Sequence, residues 1–454
     1  MAGSVEELYQ AKGYPPMSHP SSDPAVSAVA ARFAGLASPD PSRSSILEIG
    51  CASGHNLLPL AARWPEARCV GTDIADEAVA TANRRAEEAG ISNARFIAGD
   101  LRGLVLPGET FDYIIAHGVF SWVDDDVKQA LLDFCAGHLS PSGIAVISFN
   151  LMSGWENRLP VVETVRRIMS EHDVGVIRGL QILREVVPDE EVRSIVDDML
   201  AKGEEILGFD DFAPVNDPWP LDRFAAACIS RGLRWLGDSD PAENIPSSLG
   251  EEERASLLPL VGDPLLMQMT ADTLAGSAFR SGVLCRHDAP VEPRMSMAMV
   301  LDLSVRLEEE NPLSPAESLA GFVEALKGFG SSCVPVRQVI GAMENPDVPA
   351  VARSVFEAIT RGHLKARIEP TEIDGNPAVF RLSRFNALCV REDLPLVDAW
   401  HMPCLFSENP RRLLAAIDGK TVEESEGIAA SICPDLAFPV WFRHLASRGL
   451  VDFR

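Results

Sequence analysis

The sequence predicts an α/β protein with a doubly wound, parallel sheet in its first part and a mainly helical last part. Three observations predict this fold. Short apolar segments alternate with amphipathic helical segments from residue 46 to about 150, which is the pattern of a parallel sheet. Residues 46–54 have the pattern of a buried strand that leads into a glycine turn and then a helix. From about residue 295 onward the apolar spacing is helical.

The elements of the sheet can be located one by one from their apolar patterns. The predicted elements are, in order, a strand over 46–49, a helix over 56–62, a strand over 68–73, a helix over 77–89 closed by Gly90, a strand over 94–97, a strand over 111–116, a helix over 127–138, and a strand over 144–149 behind a turn at 140–143. Ligands of such sheets bind beyond the carboxyl ends of the strands. Because Gly50 and Gly54 allow the backbone to approach a ligand closely, we expect the binding site at the first turn.

The sheet is expected to be completed after an interruption. A helix over 221–231 and strands over 233–236 and 281–286 are predicted to be its last elements, and 151–215 is predicted to be a helical insertion that covers the site. The predicted divisions are an N-terminal arm or lid (1–45), the core (46–150), the insertion (151–215), the last helix and strands of the core (216–292), and a C-terminal region (293–454).

The C-terminal region contains two segments with similar endings, AITRGHLKARIEP and HLASRGLVDFR, which predict tandem winged-helix-like units. Winged helices often bind DNA, but this chain has a net charge of −26 and no recognition helix rich in lysine or arginine. Nucleic-acid binding depends on such cationic groups. We therefore expect no nucleic-acid partner. The acidic surface is expected either to attract a basic substrate or only to maintain solubility.

Cysteine and hydropathy patterns narrow the class of protein further. The nine cysteines are scattered without any Cys-x-x-Cys, so neither a disulfide framework nor a metal site is predicted, and Cys51 is interpreted as a small residue that fills the turn. The first thirty residues lack a signal-peptide pattern, and no stretch reaches the roughly 18 apolar residues that a membrane span needs. We expect a soluble, cytoplasmic protein without a membrane partner.

The glycine spacing and three carboxylates indicate which cofactor the turn binds. A dinucleotide site requires Gly-x-Gly-x-x-Gly, whereas this turn is Glu-x-Gly-x-x-x-Gly with Ala52 in the second glycine position. Glu48, Asp73 and Asp100 end three consecutive strands, where they could bind an ammonium group, ribose hydroxyls and an adenine amino group. This set favours S-adenosylmethionine over NAD.

The chain resembles the class I S-adenosylmethionine-dependent methyltransferases, whose sheet is Rossmann-like. The resemblance lies in ILEIGCASG, VGTDIADEAVATA, FIAGDL and FDYIIAHGVFSWV. Within that superfamily it is similar to the bacterial group with a methyltransferase regulatory domain, which includes the rickettsial protein lysine methyltransferases. This closer resemblance covers about residues 5–290 through YPPMSHPSSDPAVSAVAARFAGL, AHGVFSWV, DDFAPVNDPWPLDRFAAACISRGLRWLGDSD and LAGSAFRSGVLCR.

The resemblance implies a role for each matching residue. Glu48 is expected near the amino-acid end of the cofactor, Gly50 and Gly54 around it, Asp73 with Ile74 at the ribose, Asp100 with Leu101 at the adenine, and His117 near the transferred methyl group. Ala52 departs from the family, in which many members have glycine, and this departure weakens the motif slightly.

Several of these residues have simpler alternatives. Asp73 and Asp100 could cap a helix or turn, and His117 could be a buried histidine bonded to the backbone. Phe120 and Trp122 are candidate substrate-pocket residues or else core aromatics.

The N-terminal arm carries two further candidates. Three prolines between residues 14 and 20 exclude a regular helix there. Tyr14 is a candidate catalytic residue and His19 a candidate substrate contact, both in a lid over the cofactor; the alternative is an arm that only packs on the sheet.

The expected reaction is an in-line displacement in which a nucleophile of the substrate attacks the cofactor's methyl group. Neither Asn-Pro-Pro-Tyr nor Pro-Cys follows the fourth strand, which disfavours nucleic-acid bases as acceptors. A lysine amine of a protein or peptide is expected, with His117 as the candidate base. A small metabolite or peptide natural product methylated on nitrogen or oxygen is the first alternative, and a non-catalytic cofactor-binding protein is the second. A homodimer is a candidate assembly.

Overall fold

The computed structural model describes residues 13–292, 296–308, 317–374 and 377–450. Its centre is a seven-stranded sheet with the strand order β3-β2-β1-β4-β5-β7-β6. The strands are β1 (Ser45–Ile49), β2 (Arg68–Asp73), β3 (Ala94–Ala98), β4 (Phe111–Ala116), β5 (Leu139–Asn150), β6 (Leu233–Asp238) and β7 (Phe279–Arg286). The order reverses between β1 and β4, which places a crevice at their carboxyl ends.

The sheet is mixed: its first five strands pair in parallel, as the alternating pattern predicts, and β7 pairs antiparallel. β7 runs antiparallel to both β5 and β6, with Ile147 opposite Gly282. The apolar pattern of a strand does not record its direction, which is why the sequence did not indicate this reversal. The predicted turn at 140–143 lies within β5, where the pairing with β4 passes from Leu139 to Ile144 as an irregularity.

Helices cover both faces of the sheet. The helices of this part are α1 (Pro24–Phe33), α2 (Leu57–Arg63), α3 (Asp76–Glu88) and α4 (Asp125–His138). Neighbouring strand residues alternate between the two cores: Ile46 belongs to the cluster that contains α2 and α3, and Leu47 to the cluster that contains α4. This two-sided burial explains why the strands are continuous apolar runs.

The predicted insertion is helical and forms a small core of its own. Its helices are α5 (Met152–Trp155), α6 (Arg158–His172), α7 (Val176–Val186), α8 (Glu190–Lys202) and α9 (Glu204–Phe209). Leu180 and Leu183 are buried in its cluster, as their spacing predicts, whereas Val187 and Ile177 pack at its margin. The sheet resumes with α10 (Leu221–Ser230), and α11 (Glu251–Ser256) and α12 (Pro264–Ala275) lie between β6 and β7.

The C-terminal region is mainly helical, as the sequence predicts. Its helices are α13 (Met297–Leu301), α14 (Glu317–Lys327), α15 (Val336–Gly341), α16 (Val348–Thr360), α17 (Arg384–Arg391), α18 (Glu408–Ile417), α19 (Val422–Ile432) and α20 (Phe438–Ser447). Its strands are β8 (Ser304–Leu307), β9 (Val334–Pro335), β10 (Leu364–Arg367), β11 (Leu396–Val397) and β12 (Pro403–Cys404).

The two predicted winged-helix-like units differ in their strands. The first has an antiparallel sheet of order β10-β8-β9 around α14 to α16. In the second, the hairpin of β11 and β12 precedes the three helices α18 to α20, and residues 451–454 lie outside the described part of the chain. This second unit shares a core with the sheet, because Leu413 of α18 and Phe442 of α20 belong to the same cluster as Leu57 of α2, as do Phe385 and Leu388 of α17.

No helix among the described residues is long and apolar enough to cross a membrane. Within the same residues, no group of three or more histidine, cysteine, aspartate or glutamate side chains could hold a metal ion. The nine cysteines are free thiols. Burial raises the pKa of Cys51 well above its ordinary value, in agreement with its interpretation as a filler of the turn.

Candidate active site

A cavity of about 910 Å³ lies at the carboxyl ends of β1, β2 and β4. Three parts of the chain form its walls: the loops that follow these strands, the N-terminal arm at residues 13–19, and helices α5, α8 and α9 of the insertion. We call it the central cavity. Of the site residues that the sequence predicts, all but Gly54 and Phe120 line it.

The glycine turn contains three residues in the left-handed region of backbone conformation. Gly50 has φ 76°, Ala52 φ 43° and Gly54 φ 76°. The N–H of Ala52 donates to Asp73 Oδ2 at 2.8 Å, and this bond helps to hold a non-glycine residue in that conformation. Gly54 lies behind the cavity wall, where a Cβ atom would come within 2.9 Å of the Phe96 ring. Its role is therefore to allow close packing of the turn on the sheet.

Glu48 ends β1 as a buried carboxylate with one oxygen unsatisfied. Its Oε1 accepts a hydrogen bond from Asn56 Nδ2 at 2.7 Å, and Oε2 has no hydrogen-bond partner among the described residues. Burial raises the pKa of Glu48 to about 8, against the lowering effect of the Asn56 bond. A buried hydrogen-bond acceptor without a donor lowers the stability of the folded protein. The site therefore fits a ligand that brings a cationic donor to this oxygen.

Asp73 ends β2 and is half-buried at the cavity wall. Its two oxygens accept from the N–H groups of Ala52 and Ala75, at 2.8 and 2.9 Å. It does not cap α3, whose N-cap is Ala75 without a side-chain bond. Burial raises the pKa of Asp73. The backbone N–H of Ile74 also interacts with this carboxylate, whose two oxygens have about four acceptor sites, so Asp73 can still accept from a hydroxyl group of a ligand. Ile74 beside it also lines the cavity.

Asp100 both caps a turn and lines the cavity. It accepts from the N–H of Arg102 at 2.8 Å and forms an ion pair with the Arg102 guanidinium, which lowers its pKa. The turn-capping alternative is thus present in the structure. Because Asp100 and Leu101 also belong to the cavity wall, capping does not exclude contact with a ligand.

His117 follows β4 and is stacked between two other rings. The His19 ring of the arm lies parallel to it with centroids 3.8 Å apart, and the Phe279 ring meets it edge-on at 5.6 Å. Burial lowers the pKa of His117 well below its ordinary value and that of His19 to about 4. Nδ1 of His117 has no hydrogen-bond partner in the described part of the chain. His117 is therefore a neutral ring with a free nitrogen.

Two aromatic side chains close the cavity on the side of the arm. The Tyr14 ring packs edge-on against Phe209 of α9 at 5.5 Å, and burial, aided by Asp210, raises the pKa of Tyr14. Trp122 also lines the cavity, and its Nε1 has no hydrogen-bond partner among the residues described. The arm thus joins the insertion to the core across the cavity.

The structure corrects the prediction that Phe120 contacts a substrate. Its side chain is fully buried and packs edge-on against Trp219, Phe149 and Phe224, outside the central cavity. Trp122 lies two residues further on, in the cavity wall. Phe120 and Trp122 lie in a short 3-10 helix, so their side chains point in different directions. The sequence of two nearby aromatic residues does not indicate this turn.

Other cavity residues escaped the sequence reasoning. Trp155 and Arg158 come from the start of the insertion, Asp198 and Lys202 from α8, and Phe279 from the start of β7. Their positions depend on how the insertion folds back over the sheet, so no local pattern identifies them. Asn56 had a usable signal, because it opens α2 at the end of the glycine turn.

Fold and site together define a class I S-adenosylmethionine-dependent methyltransferase. Residues 46–143 match the family described as "Methyltransferase domain", and residues 203–286 match the "Predicted methyltransferase regulatory domain". The chain thus contains a methyltransferase domain, followed by a stretch similar to this regulatory domain. The cofactor of the family is S-adenosylmethionine, and the unsatisfied carboxylate oxygen of Glu48 fits its ammonium group.

The comparison with solved structures points to the same fold. The structure of PKMT2 from Rickettsia typhi in complex with AdoHcy superposes with a TM-score of 0.83 at 17% identity, covering 96% of this chain and 99% of that one. The agreement extends over the arm, the insertion and the C-terminal region, and at this identity it shows the fold.

Two curated relatives come from Rickettsia prowazekii. Uncharacterized protein RP789 is 29% identical over 277 residues, which is 57% of this chain and 48% of RP789. Uncharacterized protein RP028 is 32% identical over 164 residues, which is 36% of this chain and 64% of RP028. The chain thus spans about half to two thirds of the length of these relatives.

Proposed function

We propose that this protein transfers the methyl group of S-adenosylmethionine to a lysine amine of a protein or peptide. The observation that carries the proposal is the position of His117. Its neutral ring lines the same cavity as the carboxylates Glu48 and Asp73 and the aromatic and acidic residues of the arm and insertion. Such a cavity provides a cofactor compartment and an acceptor compartment that meet at His117.

The cofactor compartment is formed by the ends of β1, β2 and β3. S-adenosylmethionine supplies an electrophilic methyl group on a sulfonium. In the proposed arrangement Glu48 accepts from the ammonium group, Asp73 from the ribose hydroxyls, and Asp100 from the adenine amino group. These three contacts place the ligand along the strand ends, with its central part toward His117.

The acceptor compartment suits a long cationic side chain that loses its charge. The exposed carboxylates of Asp124 and Asp198 line the cavity and would attract an ammonium group. Further in, Trp122, Trp155 and Phe279 supply apolar surface. Burial against apolar surface lowers the pKa of an amine, and the neutral amine is the nucleophile.

The lowered pKa of His117 changes its expected role. A ring whose protonated form is this unfavourable is a weak base and would not retain a proton from an ammonium group, whose pKa is ordinarily about 10.4. Its free Nδ1 can instead accept a hydrogen bond from the neutral amine and align the amine's lone pair with the methyl group. His117 is therefore proposed to orient the acceptor after the proton has left to solvent.

The decisive experiment uses S-adenosylmethionine with a labelled methyl group and a cell lysate. Label on protein bands, with methyl-lysine in their hydrolysate, is expected for the wild-type chain. His117→Ala should reduce this labelling by about a hundredfold, the range for loss of alignment between reacting groups, while cofactor affinity changes little. Label confined to small molecules would refute the protein acceptor, and cofactor binding without any transfer would refute the catalytic function.

A further inference from the structure

We propose that His401, in the C-terminal region, is a positioning residue for the cofactor carboxylate Glu48 and acts through Asn56. The inference rests on the proposed role of Glu48 at the amino-acid end of the cofactor. His401 is 345 residues from Asn56 in the chain, and nothing in its local sequence resembles a cofactor motif.

A continuous chain of buried hydrogen bonds links the three side chains. His401 Nε2 lies 2.8 Å from Asn56 Oδ1, and Asn56 Nδ2 lies 2.7 Å from Glu48 Oε1. The three residues are 0%, 5% and 3% exposed, respectively. Water therefore does not compete with these bonds, and the orientation of each group depends on its neighbour.

The bonds around Asn56 fix the direction of its amide. Its oxygen also accepts from the backbone N–H of His19 at 2.8 Å, whereas Ser22 Oγ accepts from Asn56 Nδ2 at 3.0 Å and donates to the His19 carbonyl. With the oxygen facing His401 and the His19 N–H, the NH₂ group must face Glu48. His401 thus stabilises the one orientation of Asn56 in which the amide donates to the carboxylate and leaves Oε2 for a ligand.

The backbone around His401 shows how the chain presents this side chain. His401 has φ 63°, a left-handed conformation that is unfavourable for a non-glycine residue and persists only where the surrounding structure holds it. The turn is held by Asp398, whose Oδ1 accepts from the N–H groups of Trp400 and Met402 at 2.9 Å and whose Oδ2 pairs with Arg448. The hairpin of β11 and β12 therefore holds His401 at its tip, directed into the core.

The arrangement makes cofactor affinity depend on the seating of the C-terminal region. If the β11–β12 hairpin shifts, the Asn56 oxygen loses the His401 donor and keeps the His19 N–H, so the amide that donates to Glu48 is held less firmly. The affected part of the ligand is its ammonium end, because Glu48 is proposed to contact only that end. A positioning role of His401 therefore predicts a loss of affinity only for ligands with the ammonium group, whereas a general structural role predicts a loss for every ligand of the cavity.

The test compares two ligands that differ at the amino-acid end. S-adenosylhomocysteine carries the ammonium group, and 5′-methylthioadenosine lacks the whole amino-acid moiety. In the full-length chain, His401→Leu should weaken S-adenosylhomocysteine binding by about fivefold, the worth of one hydrogen bond, and change 5′-methylthioadenosine binding less than twofold. His401→Gln, whose amide can donate from a similar position, should restore most of the affinity.

The control for loss of an interdomain contact is Glu369→Ala. Glu369 accepts from Trp64 Nε1 at 3.1 Å across the same junction of core and C-terminal region, but it does not contact Asn56. This variant should leave both affinities within twofold. If His401→Leu does not fold, His401→Met removes the same ring nitrogen with a longer side chain and should weaken S-adenosylhomocysteine binding selectively.

The inference would be overturned if His401→Leu, or its substitute, weakened the binding of both ligands equally. It would also be overturned if the variant weakened the binding of neither. Glu48→Gln distinguishes this result from failure of the proposed function. If Glu48→Gln also leaves S-adenosylhomocysteine affinity unchanged, the role of Glu48 is wrong. If Glu48→Gln weakens binding and the His401 variant does not, only the positioning role is wrong.

Discussion

Glu48 is the residue whose protonation should govern cofactor binding. Its pKa of about 8 is raised mainly by burial, and Asp73 nearby raises it further. A bound ammonium group favours the ionised carboxylate, so binding below pH 8 should release a proton. The affinity for S-adenosylhomocysteine should therefore rise with pH between about 6 and 7.5, by up to tenfold per pH unit.

Calorimetry at several pH values checks this expectation. His117 and His19 remain neutral in this range because burial lowers the pKa of both, so they should not contribute to the slope. Glu48→Gln should flatten the dependence. A slope of the same size in that variant would show that another group takes part in the proton linkage.

Asp73 should contribute to affinity through the ribose. Asp73→Ala removes a charge-assisted acceptor and should weaken cofactor binding by about tenfold or more. Asp76→Asn is a matched control, because Asp76 is an exposed residue of the first turn of α3 outside the central cavity. Equal affinities of the two variants in calorimetry would contradict the ribose role.

The backbone conformation of Ala52 is expected to lower the stability of the folded protein. Its φ of 43° is unfavourable for alanine and easy for glycine, so Ala52→Gly should stabilise the fold by about 1 kcal/mol. The same change at Ala80, on the exposed side of α3, should destabilise it by about 1 kcal/mol. Thermal unfolding midpoints should therefore shift in opposite directions; a shift in the same direction would refute the backbone argument.

At the scale of elements, α8 of the insertion supplies an acidic group to the acceptor side of the cavity. Asp198→Asn should raise the KM for a lysine-containing acceptor about threefold at low ionic strength and less at high ionic strength. Cofactor affinity should not change, since Asp198 is not one of the carboxylates proposed to contact the cofactor.

The adjacent residue provides the control. Asp197 pairs with Arg184 on the outer surface of the insertion and is absent from the cavity wall, so Asp197→Asn should leave KM unchanged. Steady-state kinetics at two salt concentrations measures both variants. An Asp198→Asn effect that does not depend on salt would contradict electrostatic attraction of the acceptor.

The elements near the glycine turn could be predicted from the sequence for a physical reason. β2 and β4 are apolar runs buried on both faces, and each is bounded by polar or turn residues, so their bounds match the predicted ones at 68–73 and 111–116. The direction of β7 could not be predicted, because it depends on the path of more than a hundred intervening residues. Phe120 was ambiguous for a similar reason, since a single helical turn decides which aromatic faces the core.

At the scale of the whole molecule, the C-terminal region packs against the N-terminal sheet and its helices. α17 and α2 share one core, and Arg367 of β10 forms an ion pair with the buried Asp23 beside α1. The contact of His401 with Asn56 joins residues 345 positions apart. No pattern within either segment indicates this contact, so the sequence locates the carboxylates at the strand ends but not the side chains that bond to them.

The position of β7 has a consequence for how the protein acquires its fold. β7 pairs with β5 along most of its length, yet residues 151–278 separate the two strands in the chain. During synthesis, β5 cannot pair with β7 until residues 151–278 and β7 itself have left the ribosome. An unpaired apolar edge strand is prone to association with other chains. We therefore expect slow refolding of the sheet, and early folding of α6 to α8 would shorten the loop that has to close.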